Sequence, residues 1–159
     1  MTPAVRQLEQ AGAAFDTVAF DHDPGVRDYG PEAAAAIAAQ IGGVEPEQVF
    51  KTLLVVVDGG HAVALAPVTT QLSLKAVAAA LGVKRAEMCE STVAERLTGY
   101  VVGGISPFGQ RTRLPTVVDE TAELFDTIYV SGGRRGLDLA VAPGDLVQVL
   151  AATVAAITA

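Results

Sequence analysis

Lys51 heads the apolar run "FKTLLVVV", residues 50–57, on the same pleat face as Leu53, Val55 and Val57. An ammonium in that place has two uses. It can protect a sheet edge while its stem covers apolar surface, or it can point into a cleft and there bind a phosphate or polarise a carbonyl. The stretch "VVGGISPFGQRTR", residues 101–113, offers a second chemistry. Gly103 and Gly104 let the backbone approach a ligand closely, and N–H groups in such a loop can cradle an anion or an oxyanion. Arg111 and Arg113 follow at once. No Gly-Lys-Ser/Thr continues the loop, so it is not a P-loop; its plain alternative is a tight connection between strands. The stretch "YVSGGRRGLDL", residues 129–139, repeats the theme. Ser131 ends a strand-like run, Arg134 and Arg135 charge the tip of a turn, and Asp138 interrupts an apolar run. A carboxylate there needs a hydrogen-bond partner or a cation, and Lys51 is a candidate.

The remaining reactive side chains carry less. Cys89 precedes a helix that Glu90 or Ser91 could open, a setting that can lower a thiol's pKa, but an incidental small residue is the preferred reading. His22 lies in a loop between two acids and reads as a surface histidine. No Ser-His-Asp order stands out. His22, His61 and Cys89 form no metal-binding spacing, and no cofactor motif is present. The residues thus describe a cleft with one lysine, one aspartate, hydroxyls and glycine-rich backbone, without an evident nucleophile or base. Such a site suits an already activated substrate, where positioning carries much of the rate.

The elements that must position these residues are legible as patterns. Thr2-Pro3 opens a helix over "PAVRQLEQA" that Gly12 ends, and residues 14–20 have strand character. Residues 21–31, rich in Asp, Gly and Pro, form a loop. "PEAAAAIAAQIGG" is a helix, and "EPEQV" a helical turn. Two strands around "DGG", residues 58–60, form a β-hairpin. Helices follow at Ser73–Gly82 and residues 90–99. "YVVGG" starts as a strand and breaks into a loop, "TVVDE" is a strand and "AELF" a turn. "TIYVSGG" and "GLDLAVA" pair as a second hairpin, and "GDLVQVLAATVAAI" is a closing helix. This order lacks βαβ alternation. It predicts an α+β domain over residues 1–159 with a mixed, largely antiparallel sheet and helices around it.

Bulk composition narrows the function classes. Half of the 159 residues are hydrophobic, 5% are aromatic, and the net charge is −7. The charge argues against a long duplex footprint and against DNA. Residues 51–115 nevertheless hold seven bases against four acids, enough for a few phosphates. No apolar run is long enough to span a bilayer. A single cysteine and the lack of an export signal make the cytoplasm the expected compartment.

Taken together, "MTPAVRQLE", "HDP", "VFKTLLV", "TGYVVGGISPFGQ", "RLPTVVDE", "IYVSGGRRGLDL" and "GDLVQVL" resemble, in this order, the YbaK/EbsC family of aminoacyl-tRNA deacylases, particularly its free-standing Cys-tRNA(Pro) deacylases. The resemblance implies a mixed, β-barrel-like sheet surrounded by helices. It implies an enzyme that acts on the 3′ end of mischarged tRNA, with no cofactor and with prolyl-tRNA synthetase as a partner. It implies substrate-assisted chemistry, in which the cysteine thiol attacks its own ester and leaves as a thiolactone. Carried over by motif, Lys51, Gly103, Gly104, Ser131 and Asp138 are the catalytic set. Phe20, Thr52, Ile105, Ser106, Pro107, Arg111 and Arg113 are expected to contact substrate. Similar members carry tyrosine where this chain has Phe20, so a hydroxyl is missing there. Water-dependent clearance of Ala-tRNA(Pro) and a non-catalytic module that binds tRNA or a synthetase are the alternatives.

Overall fold

The computed structural model describes residues 1–159. Five helices and eight strands follow in the order α1 (Pro3–Gln10), β1 (Phe15–Ala19), α2 (Tyr29–Gln40), β2 (Phe50–Val57), β3 (Gly60–Pro67), α3 (Leu74–Leu81), β4 (Ala86–Met88), α4 (Ser91–Thr98), β5 (Thr116–Asp119), β6 (Ile128–Arg134), β7 (Leu137–Val141), α5 (Pro143–Leu150) and β8 (Thr153–Ala155), with short 3₁₀ turns at Pro46–Gln48 and Glu120–Leu124.

Local chemistry explains most boundaries. The Thr2 hydroxyl accepts from the Val5 N–H, and Pro3 occupies the first turn of α1, where no N–H is needed. Ser73 caps α3 in the same way, and Gly82 closes it in the left-handed conformation. The first hairpin turns on Asp58-Gly59 and pairs Val57 with Gly60. Two expectations fail for identifiable reasons. Residues 101–104 are not a strand, because the Val102 N–H is taken by the Glu95 carboxylate and the Gly104 N–H by the Val101 carbonyl. The closing helix stops at Leu150, where Ala151 turns left-handed at φ 51°, and the chain continues as β8. The three-residue strand β4 carries no pattern of its own.

The strands form two sheets rather than a barrel. The larger has the order β4-β2-β3-β5-β8; β2 runs antiparallel to β4 and β3, while β3, β5 and β8 are parallel. The smaller, β1-β7-β6, is antiparallel. One parallel bridge, Val49 to Tyr129, joins the two. The mixed α+β architecture stands, while a barrel-like sheet is not confirmed: the strands form two sheets, and no ladder continues beyond that bridge.

Strand alternation divides the interior. Phe50, Leu54, Leu65, Val118, Val130 and Leu139 point into the main core with Leu8, Ala94 and Leu146 from the helices. Val55, Ala64 and Val117 point the other way, against α3. Val18, Val49 and Tyr129 pack under Ala33, Ala34 and Ile37 of α2. Asp119, 1% exposed at the end of β5, ties the last segment in. Its carboxylate accepts from the Ile157 N–H (3.0 Å) and from the Thr121 N–H and hydroxyl (3.3 and 2.6 Å).

These bonds define a stability test. Asp119→Ala leaves a buried N–H at Ile157 unpaired and should cost about 3 kcal/mol, read as a lower urea midpoint. Asp119→Asn, which keeps one acceptor oxygen, should cost less.

Candidate active site

The bridge Val49–Tyr129 sets a register that sequence alone does not reveal. Residues paired across strands point to the same side of a sheet. Tyr129 also pairs with Ala140, so Val49, Tyr129 and Ala140 form one row. Two residues further along these strands, on the same face, the next row holds Lys51, Ser131 and Asp138, with Ser131 directly opposite Asp138 and Val18 beyond it on β1. The ladder between β2 and β6 does not continue past the bridge, so Lys51 and Ser131 share a face without backbone hydrogen bonds joining their strands. Both line a cavity of about 370 Å³, within the range of small-ligand sites.

Six consecutive residues of the chain, Val49 to Leu54, line the cavity. An alternating strand face cannot present consecutive residues, so the cavity runs along the strand's edge and reaches both of its faces. β4 leaves that edge free, since it pairs only with Val55–Val57. The opposite wall is Ser131 and Asp138; the N-terminus of α2 gives Asp28, Tyr29 and Ala33; Met88, Cys89 and Ser91 come from the β4–α4 junction; Val102, Gly103 and Ile105 come from the glycine loop.

Lys51 sits at the head of its strand with its ammonium 2.5 Å from the Thr70 carbonyl. Burial lowers its pKa, and the nearby Asp28 carboxylate acts in the opposite direction. Asp28 is the N-cap residue of α2 but makes no side-chain capping bond. Asp138 is 6% exposed and accepts no hydrogen bond, and burial pushes its carboxyl up to about 7. The expected Lys51–Asp138 pairing is absent: both line the cavity, yet the one close ion pair in the protein is His22 with Glu32. Thr52 adds a buried hydroxyl oxygen with no partner. Ser131 Oγ accepts from the Gly133 N–H at 3.2 Å.

The glycine loop is shaped by contact. Gly103 adopts φ +88°, and a Cβ there would lie 2.6 Å from the Tyr29 ring. A Cβ on Gly104 would meet the Arg134 backbone at 2.8 Å. The N–H groups of Gly103 and Ile105 donate to no protein acceptor, whereas that of Gly104 is committed to Val101. The uncommitted N–H groups of the loop are therefore those of residues 103 and 105, and Gly104 serves the close approach of the β6–β7 hairpin.

Several expected contacts fall outside the cavity. Ser106 is fully buried and its oxygen accepts from the Phe108 N–H; Pro107 is buried beside it. Arg111 packs beside Gly99 at the far end of α4, its N–H bonded to Thr98, and Arg113 is exposed in the following loop. Phe20 packs with the α2 cluster and borders a separate shallow hollow beside Arg134 and Gly136. Lys51, Thr52, Gly103, Ile105, Ser131 and Asp138 are brought together. The cavity also takes in Asp28 and Tyr29, which no sequence motif singles out, and Cys89, which reads as incidental in the sequence. An aromatic residue just ahead of the alanine-rich helix, in a chain with few aromatics, was the available signal for Tyr29. Burial raises the Cys89 thiol, contrary to the helix-start argument. No set of His, Cys, Asp and Glu side chains converges in a way that could hold a metal ion, and no helix is long and apolar enough to cross a membrane.

Comparison with known proteins gives consistent matches. Residues 30–149 match the profile of the aminoacyl-tRNA editing domain. An Enterococcus faecalis protein, EbsC, to which a Cys-tRNA(Pro)/Cys-tRNA(Cys) deacylase activity is ascribed by name, is 33% identical over 162 residues that span 99% of this chain and 93% of the relative. A crystal structure described as that of a trans-editing enzyme for prolyl tRNA synthetase superposes with a TM-score of 0.82 at 25% identity, covering 100% of this chain and 99% of the other. That of the hypothetical protein APE2540 superposes at 0.86 with 23% identity, covering 99% and 100%.

The buried carboxyl has a measurable signature. Asp138 ionises near 3.9 when unfolded and near 7 in the fold. The folded state therefore holds the extra proton between these values, and stability falls as pH rises through that window. The cost above pH 7 is on the order of 4 kcal/mol. Asp138→Asn should be more stable than the parent at pH 8 and should lose that part of the slope, as followed by urea unfolding at pH 4.5 and pH 8.

Proposed function

Because the chain belongs to the aminoacyl-tRNA editing domain family, we propose that it deacylates mischarged tRNA, with Cys-tRNA(Pro) as its substrate. The observation that carries this reading is the row of Lys51, Ser131 and Asp138 at a cavity also lined by Gly103 and Ile105, whose N–H groups have no protein acceptor. It supplies an anion-stabilising side and a cation-holding side, and neither the Ser131 and Thr52 hydroxyls nor the Cys89 thiol is hydrogen-bonded to a side-chain base that would activate it as a nucleophile. Those are the requirements of a substrate that brings its own nucleophile.

In this mechanism the ester carbonyl oxygen lies between the Gly103 and Ile105 N–H groups, with the Lys51 ammonium contributing positive charge. The ionised Asp138 carboxylate holds the substrate's α-ammonium group and offsets its own burial in doing so. The cysteinyl sulfur attacks the carbonyl carbon, and a C–S bond forms. The C–O bond to the ribose breaks, the thiol proton passes to the departing 3′ oxygen, and a thiolactone and free tRNA leave. The unpartnered Thr52 hydroxyl is placed to meet a polar group of the substrate. Arg111 and Arg113, remote from the cavity, are assigned to the body of the tRNA. Prolyl-tRNA synthetase, which the superposing trans-editing structure serves by its description, is the proposed partner, and cytoplasm the proposed compartment.

The test is a deacylation panel on Cys-, Ala- and Ser-tRNA(Pro), with and without prolyl-tRNA synthetase. Cys-tRNA(Pro) should be cleared fastest. Serine carries a poorer nucleophile at the same position, so equal loss of Cys and Ser esters would overturn the thiol-assisted step. Faster Ala-tRNA(Pro) loss would establish water as the attacker, and binding without turnover would leave a non-catalytic module. Lys51→Ala should lower kcat/KM by about 100-fold or more, in the range of a lost charge-stabilising donor. Activity should rise with pH along a limb near 7, set by Asp138, and Asp138→Asn should flatten that limb.

A further inference from the structure

Arg135 stands at the tip of the β6–β7 hairpin, exposed to solvent, yet its guanidinium is fixed. Its Nε donates to the Val102 carbonyl at 2.8 Å, and its Cζ lies 4.9 Å from the centroid of the Tyr29 ring. Val102 and Tyr29 both line the cavity, so these contacts plant the cation on its rim. The loop end of this anchorage is itself held, because the Val102 N–H donates to Glu95 at 2.8 Å. The Tyr29 end is held by Gly103 packed on its ring and by His22, whose ring lies 5.6 Å away and is bound to Glu32 at 2.6 Å.

The two terminal nitrogens of Arg135 donate to nothing in the protein, and no carboxylate pairs with it. Arg27 differs, for its terminal nitrogen is spent on the Pro24 and Val26 carbonyls of its own loop. A guanidinium held at Nε and over a ring, with its fork free, can receive an oxyanion brought from outside. Guanidinium binds phosphate through two parallel N–H bonds, and holding Nε in advance lowers the entropy lost on binding.

We propose that Arg135 binds the phosphodiester of the RNA's 3′-terminal nucleotide. This rests on the proposed deacylation only for the position of the ester. With the ester carbonyl at Gly103 and Ile105, the esterified ribose fills the mouth and its own phosphate emerges at the rim. Arg135 is then a substrate-binding residue that sets the register of the RNA end, while Lys51 remains free to act at the ester.

The experiment compares the parent, Arg135→Ala and Arg135→Lys, all checked for unchanged thermal unfolding. Binding of an uncharged RNA minihelix with a single-stranded CCA end is measured against salt. Arg135→Ala should weaken binding about 10-fold and reduce the slope of log K on log salt by about 0.7, the loss of one single-strand phosphate contact. Arg135→Lys should retain the slope and recover part of the affinity. An unchanged slope in Arg135→Ala, or no minihelix binding by the parent, would overturn the proposal. On charged substrates, Arg135→Ala should raise KM for Cys-minihelix about 10-fold at constant kcat. It should leave hydrolysis of 3′-cysteinyl adenosine, which has no phosphate, unchanged. Equal losses on both would show that the residue only props up Val102 and Tyr29. If the parent binds the minihelix with the expected slope but clears no ester, the deacylase reading falls and the phosphate contact stands.

Discussion

The site exists because a sheet stops being one. Val49 and Tyr129 make a single parallel bridge, and from there β2 turns to pair with β3 and β4 while β6 stays with β7. Strand twist accumulates across a sheet, and here the accumulated divergence is released at one place instead of being spread around a closed barrel. Parting leaves a strand edge open along residues that would otherwise be covered. It also preserves register: Lys51, Ser131 and Asp138 remain on one face as though the ladder continued between them. The helices, the glycine loop and the hairpin tip are arranged around that opening, and α2 roofs it with its N-terminus.

The electrostatics of the opening follow from what the surrounding residues lack. Lys51 borrows a carbonyl, Asp138 has no donor, Arg135 has a carbonyl and a ring, and none of the three has a countercharge within ion-pair distance. A folded protein ordinarily neutralises or solvates such groups. Keeping Lys51 and Asp138 uncompensated in a partly dry cavity makes each interaction with an arriving charge stronger than it would be in water. It also separates the two signs, with the carboxylate on the sheet floor and the cations at the strand head and the rim. A substrate with an ammonium at one end, an ester in the middle and a phosphate outside meets complementary groups in that order.

Much of this was legible in the amino-acid order, and what was not has physical reasons. Helices bounded by Thr2, Ser73, Gly82 and Gly99 declared themselves through caps, and the hairpin at Asp58-Gly59 through its turn. β8 was hidden because Ala151, a residue with no turn preference, supplies a left-handed break inside an unbroken apolar run. Residues 101–104 read as a strand because Tyr, Val and Val favour one; the Glu95 side chain, six positions away at its nearest, takes the ladder's donor. For the site, Lys51 and Asp138 stood out as charges within apolar runs, but their shared row depends on a bridge between residues 80 positions apart. Ser106, Pro107, Arg111 and Arg113 adjoin the lining residues in sequence, yet after Ile105 the chain turns into the protein interior, away from the cavity. Tyr29 matters through what it touches in three separate segments, which no local pattern encodes.

The first hydrogen bond of the chain reaches the farthest. The Thr2 hydroxyl, besides capping α1, donates to the Gly132 carbonyl at 2.5 Å, across 130 positions of sequence. Gly132 follows Ser131 in the cavity wall. Helix α1 leaves the ribosome well before the β6–β7 hairpin and cannot dock on this wall until that hairpin has been synthesised. Loop closure over such a span is entropically unfavourable until other contacts have shortened it. Assembly of the cavity wall is thus a late event in biogenesis, and a nascent or truncated chain ending before residue 132 would present the glycine loop without the floor it works against.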